Sequence, residues 1–331
     1  MPRGVAPFRG SLRPTPCVPS PSTMSSLTTE AVHSSEPGLA STLTRWLEAG
    51  QLPLPAGFSI AASLVSEGAE VARPEGTIIF ETDELEIRSA SNQALTGFWR
   101  RAPARAMVHP TRPELTLETS SSAMAEGGEF FRLFFMNLVV LALKRGGLYH
   151  LHAASARDPA GEDWLLVGDS FSGKSTTAAL LARRGWQVGT DDMSFLNMVN
   201  GDVAVTAWRS RIALRDGGRA LLQSTGGTPI PERGKQGFFP EELGGAWIQT
   251  VTPRYLLFPT VAGETSRLEP VAAREVIRRI LPATFWVLFE RWGADEYLAT
   301  LRRLAEQTTA FDLYLAPDLI AKPGALRDLL P

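Results

Sequence analysis

The chain has almost no cysteine. Its 331 residues hold one, Cys17, so no disulfide can form within it, and neither a cysteine metal site nor a thiol nucleophile is credible. A charge excess of one sign is missing too. With 33 basic and 35 acidic residues the net charge is −2, which excludes a basic nucleic-acid footprint over the whole protein. Long apolar runs are also lacking: the longest, 133–143, is interrupted by Asn137 and falls far short of the roughly 20 residues a spanning helix needs. It reads as a buried helix in a soluble cytoplasmic protein with no membrane contact. No acidic residue precedes Glu30, and the Pro-, Ser-, Thr- and Arg-rich start has no apolar stretch to serve as a signal core. Residues 1–37 therefore read as a disordered tail. The same composition suits a transit peptide, and Met24 is a second possible initiator. No internal repeat is visible.

What is present concentrates between Leu165 and Asp192. Gly168, Gly173, Lys174 and Ser175 satisfy the pattern G-x-x-x-x-G-K-[ST]. In that pattern small residues let backbone N–H groups close around phosphate oxygens while the lysine supplies positive charge. The flanks agree: 164–167 is an apolar run fit for a buried strand, and 174–184 places Ala178, Leu181 and Ala182 at helical spacing before Gly185, a C-cap. The segment thus predicts strand, loop and helix, with the helix N-terminus aimed at an anion. Magnesium would sit on the Ser175 hydroxyl and on a carboxylate from a neighbouring strand. The candidates are Asp191 and Asp192, since 187–190 reads as a strand ending in them.

The rest of the chain frames this unit. Residues 42–49 predict a short amphipathic helix, and 77–80, 85–88 and 114–119 predict short strands. His109, beside Pro110, reads as a surface or capping residue. Residues 129–144 predict a helix with Phe131, Phe134, Phe135, Leu138 and Leu141 on one core-facing side. Residues 148–154 have strand character and set His150 and His152 at equal parity, on one face. A hairpin-like connection, 157–163, leads into the strand before the loop. Residues 195–199 and 203–208 flank N-G-D as an antiparallel hairpin, so the sheet should be mixed. Arg209, Arg211, Arg215 and Arg219 follow, either as a solvated face or as a clamp on a transferring group, with nothing to single one out. Residues 224–239, polar and glycine-rich around Lys235, read as a mobile substrate or lid loop. A strand at 254–259, helices at 272–281 and 296–307, and a strand at 311–315 complete the chain. The division expected is a tail (1–37), a β-rich N-terminal region (38–128) and a P-loop kinase domain (129–331).

The spacing narrows the class. Asp191 and Asp192 lie only 17 and 18 residues after Lys174, and no L-S-G-G-Q occurs. That interval holds one helix and one strand, so the acids come from an adjacent strand. Such compact sites suit kinases, where an acid beside the γ-phosphate accepts a proton from an incoming hydroxyl.

Residues 148–196 resemble the catalytic core of the HPr kinase/phosphorylase family, bacterial serine kinases whose phosphate-loop domain is similar to that of phosphoenolpyruvate carboxykinase. The shared marks are His152, 22 residues before the loop lysine; the loop G-D-S-x-x-G-K-S from Gly168 to Ser175; and an R-G turn (Arg184, Gly185) leading to Asp191 and Asp192. The later course, with the Lys235 region, L-L-F-P at 256–259 and F-D-L-Y-L at 311–315, is similar to diverged relatives of that family. The resemblance implies an α/β fold, a P-loop kinase core with a mixed sheet, and ATP and Mg²⁺ as cofactors. It implies that Gly168, Asp169, Ser170, Ser172, Gly173, Lys174, Ser175 and Thr176 hold the nucleotide and that Ser175 and Asp192 hold the metal. Asp191 would be the general base, and His152 would face the transferred phosphate. The acceptor implied is a serine of a protein or peptide, and family members tend to be homo-oligomers. The family's segment R-G-x-G-I-L-N with its preceding glutamate is absent, since no glutamate occurs between Asp192 and Glu232. The resemblance therefore does not by itself imply the phosphorylase activity or the usual HPr substrate. Diverged relatives accompany peptide-biosynthesis clusters and phosphorylate serine in a peptide precursor. Two other readings stay open: a small-molecule kinase, because shikimate-type kinases place aspartates about this far past the lysine, and a non-catalytic ATP-binding regulatory protein.

Overall fold

The structure, a computed structural model, describes residues 30–72, 75–222, 226–230, 234–285, 289–318 and 329. Residues 1–29, with Cys17 and Met24, lie outside the described residues. The end of the expected tail is built into the fold. Val32–Ser34 is strand β1, paired parallel with β2 (Ser59–Leu64), and helix α1 (Pro37–Gly50) begins five residues before its sequence signal. Proline at the first helical position is a helix starter, because its missing N–H is unpaired there anyway. Leu39, Leu43 and Leu47 then form the buried stripe.

A seven-stranded sheet follows, made of β1, β2, β3 (Thr77–Glu81), β4 (Leu85–Ser89), β5 (Leu95–Trp99), β6 (Ala104–Val108) and β7 (Glu114–Thr119), in the order β1-β2-β7-β6-β5-β4-β3. Strands β2, β5 and β6 carried no recognised sequence signal. In β6 and β7 burial alternates, with Ala104, Ala106, Val108, Leu115 and Leu117 turned to the core. After short helix α2 (Ser121–Ala125), that core is closed by a helix whose first part, Phe130–Phe135, is π-helical and whose second, α3 (Met136–Arg145), is α-helical. The wider π turn departs from the α-helix expected over 129–144. It lets Phe130 and Phe134 both reach Trp99, at ring-centroid distances of 6.0 and 6.1 Å.

The second half of the chain builds the sheet that carries the site. Residues 148–154 form two strands rather than one: β8 (Tyr149–Leu151) and β9 (Ala153–Arg157) belong to different sheets. The chain changes sheet at His152, so the parity that would place His150 and His152 on one face does not apply. Strand β10 (Asp163–Val167) leads through a loop to α4 (Lys174–Ala182), and β11 (Gln187–Thr190) follows. A hairpin, β12 (Ser194–Val199) and β13 (Asp202–Ala207), comes next. Beyond β14 (Ile212–Leu214) and α5 (Asp216–Leu222), the segment expected as a loop is a strand pair in its described residues. β15 (Thr228–Ile230) and β16 (Lys235–Phe238) pair with each other, and β16 pairs with β14. Short strands β17 (Ala246–Trp247) and β18 (Thr250–Val251), then β19 (Tyr255–Val261), β20 (Arg267–Pro270), α6 (Ala273–Ile280), α7 (Ala294–Gln307) and β21 (Thr309–Leu315) end the order.

The site-bearing sheet runs β17-β11-β9-β10-β19-β21-β20 and is mixed. β9 is antiparallel to both β10 and β11, which therefore point the same way, and β19 and β21 run parallel with β10. The carboxyl ends of β10, β11 and β19 and the amino end of β9 thus share one edge. Helix α4 covers one face of this sheet, burying Ala178, Leu181 and Ala182 against Trp164, Leu166 and Leu257. α6 and α7 cover the other, through Val276, Ile280, Tyr297, Leu301 and Leu304. The architecture is mixed α/β. No helix among the described residues is long and apolar enough to cross a membrane.

Candidate functional site

The shared edge collects chemistry from four places in the chain. β10 ends in the loop 168–173, β11 in Asp191 and Asp192, β19 in Val261, and β9 begins just after His152. Because β10 and β11 flank β9, their ends are about 10 Å apart, two inter-strand spacings. His152, Asp169, Ser170, Phe171, Gly173, Lys174, Ser175, Thr176, Asp191 and Asp192 line one cavity of about 550 Å³, together with Arg215, Lys235 and Val261. That volume lies within the range of small-molecule sites. The structure therefore brings together the candidate residues of the sequence, while Gly168 and Ser172 form the turn behind the cavity wall.

The loop owes its shape to its two pattern glycines. A Cβ on Gly168 would lie 2.8 Å from Ser172 Oγ, a contact that real side chains do not make. Gly173 takes φ +104, and a Cβ there would stand 3.0 Å from Val261 Cγ2, so glycine alone fits without strain. Gly173 caps α4, leaving the free N–H groups of the first helical turn facing the cavity. Ser172 Oγ is buried and makes no hydrogen bond.

Lys174 is buried, and its Nζ donates to the carbonyls of Gly168 and of Asp169, the latter at 3.0 Å. Burial lowers its pKa, opposed by Asp191, Asp169 and Asp192. Asp191 is 3 % exposed. Its carboxyl accepts the Ala213 N–H at 3.2 Å and lies beside the Ser175 side chain. Burial first, then the neighbouring Asp192, raise its pKa to about 7, well above the ordinary carboxyl range. The resemblance pairs Ser175 with Asp192 for the metal; both aspartates line the cavity with Ser175, and Asp191 is the more buried of the two. Asp192 is half-buried on the same cavity, its N–H donating to Thr190 Oγ1 at 3.3 Å.

The two histidines separate. His152 lines the cavity, and its N–H donates to the Ala283 carbonyl at 2.9 Å. His150 is buried edge-on to Phe195 at 5.7 Å, and burial, then His152, lower its pKa to about 4, so its ring is neutral at pH 7.

The four arginines also separate. Arg209 pairs with Glu241, Arg211 with Glu242 and Arg219 with Asp216. Arg215 lines the cavity instead. Lys235, at the start of β16, reaches it from the strand pair read as a loop. Phe171 was not a candidate in the sequence, although it is the one large side chain in a stretch of small ones and that contrast was its signal.

Among the described residues no group of three or more His, Cys, Asp or Glu side chains is arranged to hold a metal ion. The donors at hand are one hydroxyl and two carboxylates, all hard oxygens. Magnesium suits such a set, since it keeps several waters and takes one or two carboxylates plus phosphate oxygens. The exposed amides of the glycine turn and the Lys174 ammonium suit a polyphosphate.

No family model matches the chain, and no curated protein matches it. Among solved structures, that of the Hpr(Ser) kinase/phosphatase from Coxiella burnetii matches 54% of this chain and 92% of that chain, at 13% identity and a TM-score of 0.27. The relation is a distant structural one.

Proposed function

We propose that this protein is an ATP-dependent phosphotransferase that moves the γ-phosphate of Mg·ATP to a hydroxyl, and that the acceptor is a serine of a protein or peptide. One observation carries the reading. The Ser175 hydroxyl, in the first turn of a helix entered through a glycine turn, shares one cavity with Lys174 and with a buried acid, Asp191, at the end of β11. The motif resemblance of residues 148–196 supports a serine acceptor.

Mg·ATP would supply the transferable phosphoryl group and the divalent charge that neutralises it. The backbone from Gly168 to Ser175 would hold the phosphates, with Thr176 at the same helix start, and Lys174 would exchange its loop carbonyls for phosphate oxygens. Ser175 and Asp191 would share the metal side. Asp192, less buried and in the same cavity as His152, would take the proton from the acceptor hydroxyl, a role that needs reach to the incoming group. His152 would face the transferred phosphate.

The test is transfer from labelled ATP to a panel of serine peptides, an HPr-like protein and free amino acids, with Asp192→Asn alongside wild type. Asp192→Asn should bind Mg·ATP within a few-fold of wild type and lose at least about a hundredfold in transfer, the scale of a lost general base. Labelling of free amino acids alone would move the assignment to a small-molecule kinase. Binding without any transfer would move it to a nucleotide-binding regulator.

A further inference from the structure

Phe171 stands at the tip of the loop before α4 with φ +69 and 81 % of its surface exposed. Both features are costly. A bulky residue rarely takes the left-handed region, and a large exposed ring is unfavourable in water. Such strain persists where the surroundings use it. The guanidinium of Arg215 lies 5.0 Å from the centre of that ring. The two side chains come from different elements of the cavity lining, Phe171 from the loop after β10 and Arg215 from the end of β14, and they meet where the Phe171 ring is open to solvent.

Arg215 differs from its neighbours in one respect. Arg209, Arg211 and Arg219 each have a carboxylate within ion-pair distance. Among the described residues Arg215 has none, and its cationic group rests on an aromatic face alone. A cation held by an exposed ring is weakly held, so a phosphate displaces it readily, whereas a carboxylate partner would compete. Its backbone is anchored close to the acids, because Ala213, two residues earlier, donates its N–H to Asp191.

From this geometry, and resting on the Mg·ATP reading above, we infer that Arg215 reads the terminal phosphate of the bound nucleotide and that Phe171 is the positioning residue that parks the guanidinium over its ring. The pair then distinguishes a nucleoside triphosphate from a diphosphate. The arginine leaves the ring for the γ-phosphate oxygens and returns to it when only the diphosphate remains. The strained ring supplies pre-orientation in place of a competing anion.

The experiment measures ATP and ADP binding, both with magnesium, by calorimetry on the full chain for wild type, Arg215→Met, Phe171→Leu, Phe171→Tyr and Phe171→Gly. Wild type should favour ATP. Arg215→Met should weaken ATP by about tenfold or more, the weight of one charge-assisted contact, and leave ADP nearly unchanged. Phe171→Leu should lose part of the same preference, and Phe171→Tyr should keep it. Phe171→Gly separates positioning from packing: relief of the positive φ should raise the unfolding midpoint while the ATP preference falls. An unchanged ATP-to-ADP ratio in Arg215→Met or Phe171→Leu overturns the inference and leaves the nucleotide reading intact. Wild type that binds neither nucleotide overturns both.

Discussion

The Ala213 N–H donates to the buried Asp191 carboxyl at 3.2 Å, and the Ser175 side chain, in the first turn of α4, lies beside the same carboxyl at the end of β11. The Ala213 contact ties the sheet to the strand leading to Arg215. It also buries an acid whose ionisation the fold resists.

In metal-free protein that resistance has a definite sign. The folded pKa of Asp191 is raised from 3.8 to about 7, so between these values the folded state binds more protons than the unfolded one, and stability falls as pH rises. Above pH 7 the penalty is complete, and below about pH 4 it is absent. Asp191→Asn keeps an acceptor for Ala213 and removes the charge. In EDTA its unfolding midpoint should exceed wild type at pH 8, with the gap closing toward pH 4. A gap independent of pH would contradict the buried, raised carboxyl.

Gly189 lies two residues before Asp191, in the strand that ends in the two acids. A Cβ there would fall 2.5 Å from Ser155 Oγ, 2.7 Å from Ala207 Cβ and 2.8 Å from the Ile248 carbonyl. Gly189→Ala should therefore cost about 1–3 kcal/mol, as overpacking does. Urea unfolding reads the loss, and a neutral or stabilised variant would show that β11 has more room than its neighbours leave it.

Glu290 joins the two halves of the molecule. It is 5 % exposed and pairs with Lys144 at 3.0 Å and with Arg145, both at the end of α3. Arg145 also lies over the Trp292 ring at 4.4 Å. Burial already lowers the Lys144 pKa, opposed by Glu290. Glu290→Gln should cost about 3–5 kcal/mol, because it leaves buried cations without their counter-charge. Denaturant titration at pH 7 measures it, and a loss under about 1 kcal/mol would place the pair among surface contacts.

Much of the site was legible because its parts are close in sequence and each has a local cause. The glycine turn, Lys174, Ser175 and the helix behind them follow from spacing, and the strand of residues 164–167 from its apolar run. His109 caps its loop as read, its Nδ1 accepting from the N–H groups of Thr111 and Arg112 at 3.2 and 3.1 Å. What was not legible depends on partners distant in the chain. Nothing local tells residues 148–154 to change sheets at His152, since β8 finds β12 while β9 finds β10 and β11. The segment 224–239 looks like a loop because glycine and polar residues dominate it, yet β16 is held by pairing with β14. Arg215 was hidden among four arginines until three of them met carboxylates. β5 was missed because all five of its residues are buried and the run has no alternation to betray it.

The most direct measurement is calorimetric titration of the full chain with ATP, with and without magnesium, beside Lys174→Ala and Ser175→Ala variants whose unfolding midpoints show them folded. The account predicts one site per chain, tight only with magnesium, lost in Lys174→Ala, and stripped of most of its magnesium dependence in Ser175→Ala. No binding by wild type, or ATP affinity that survives Lys174→Ala unchanged, would contradict it.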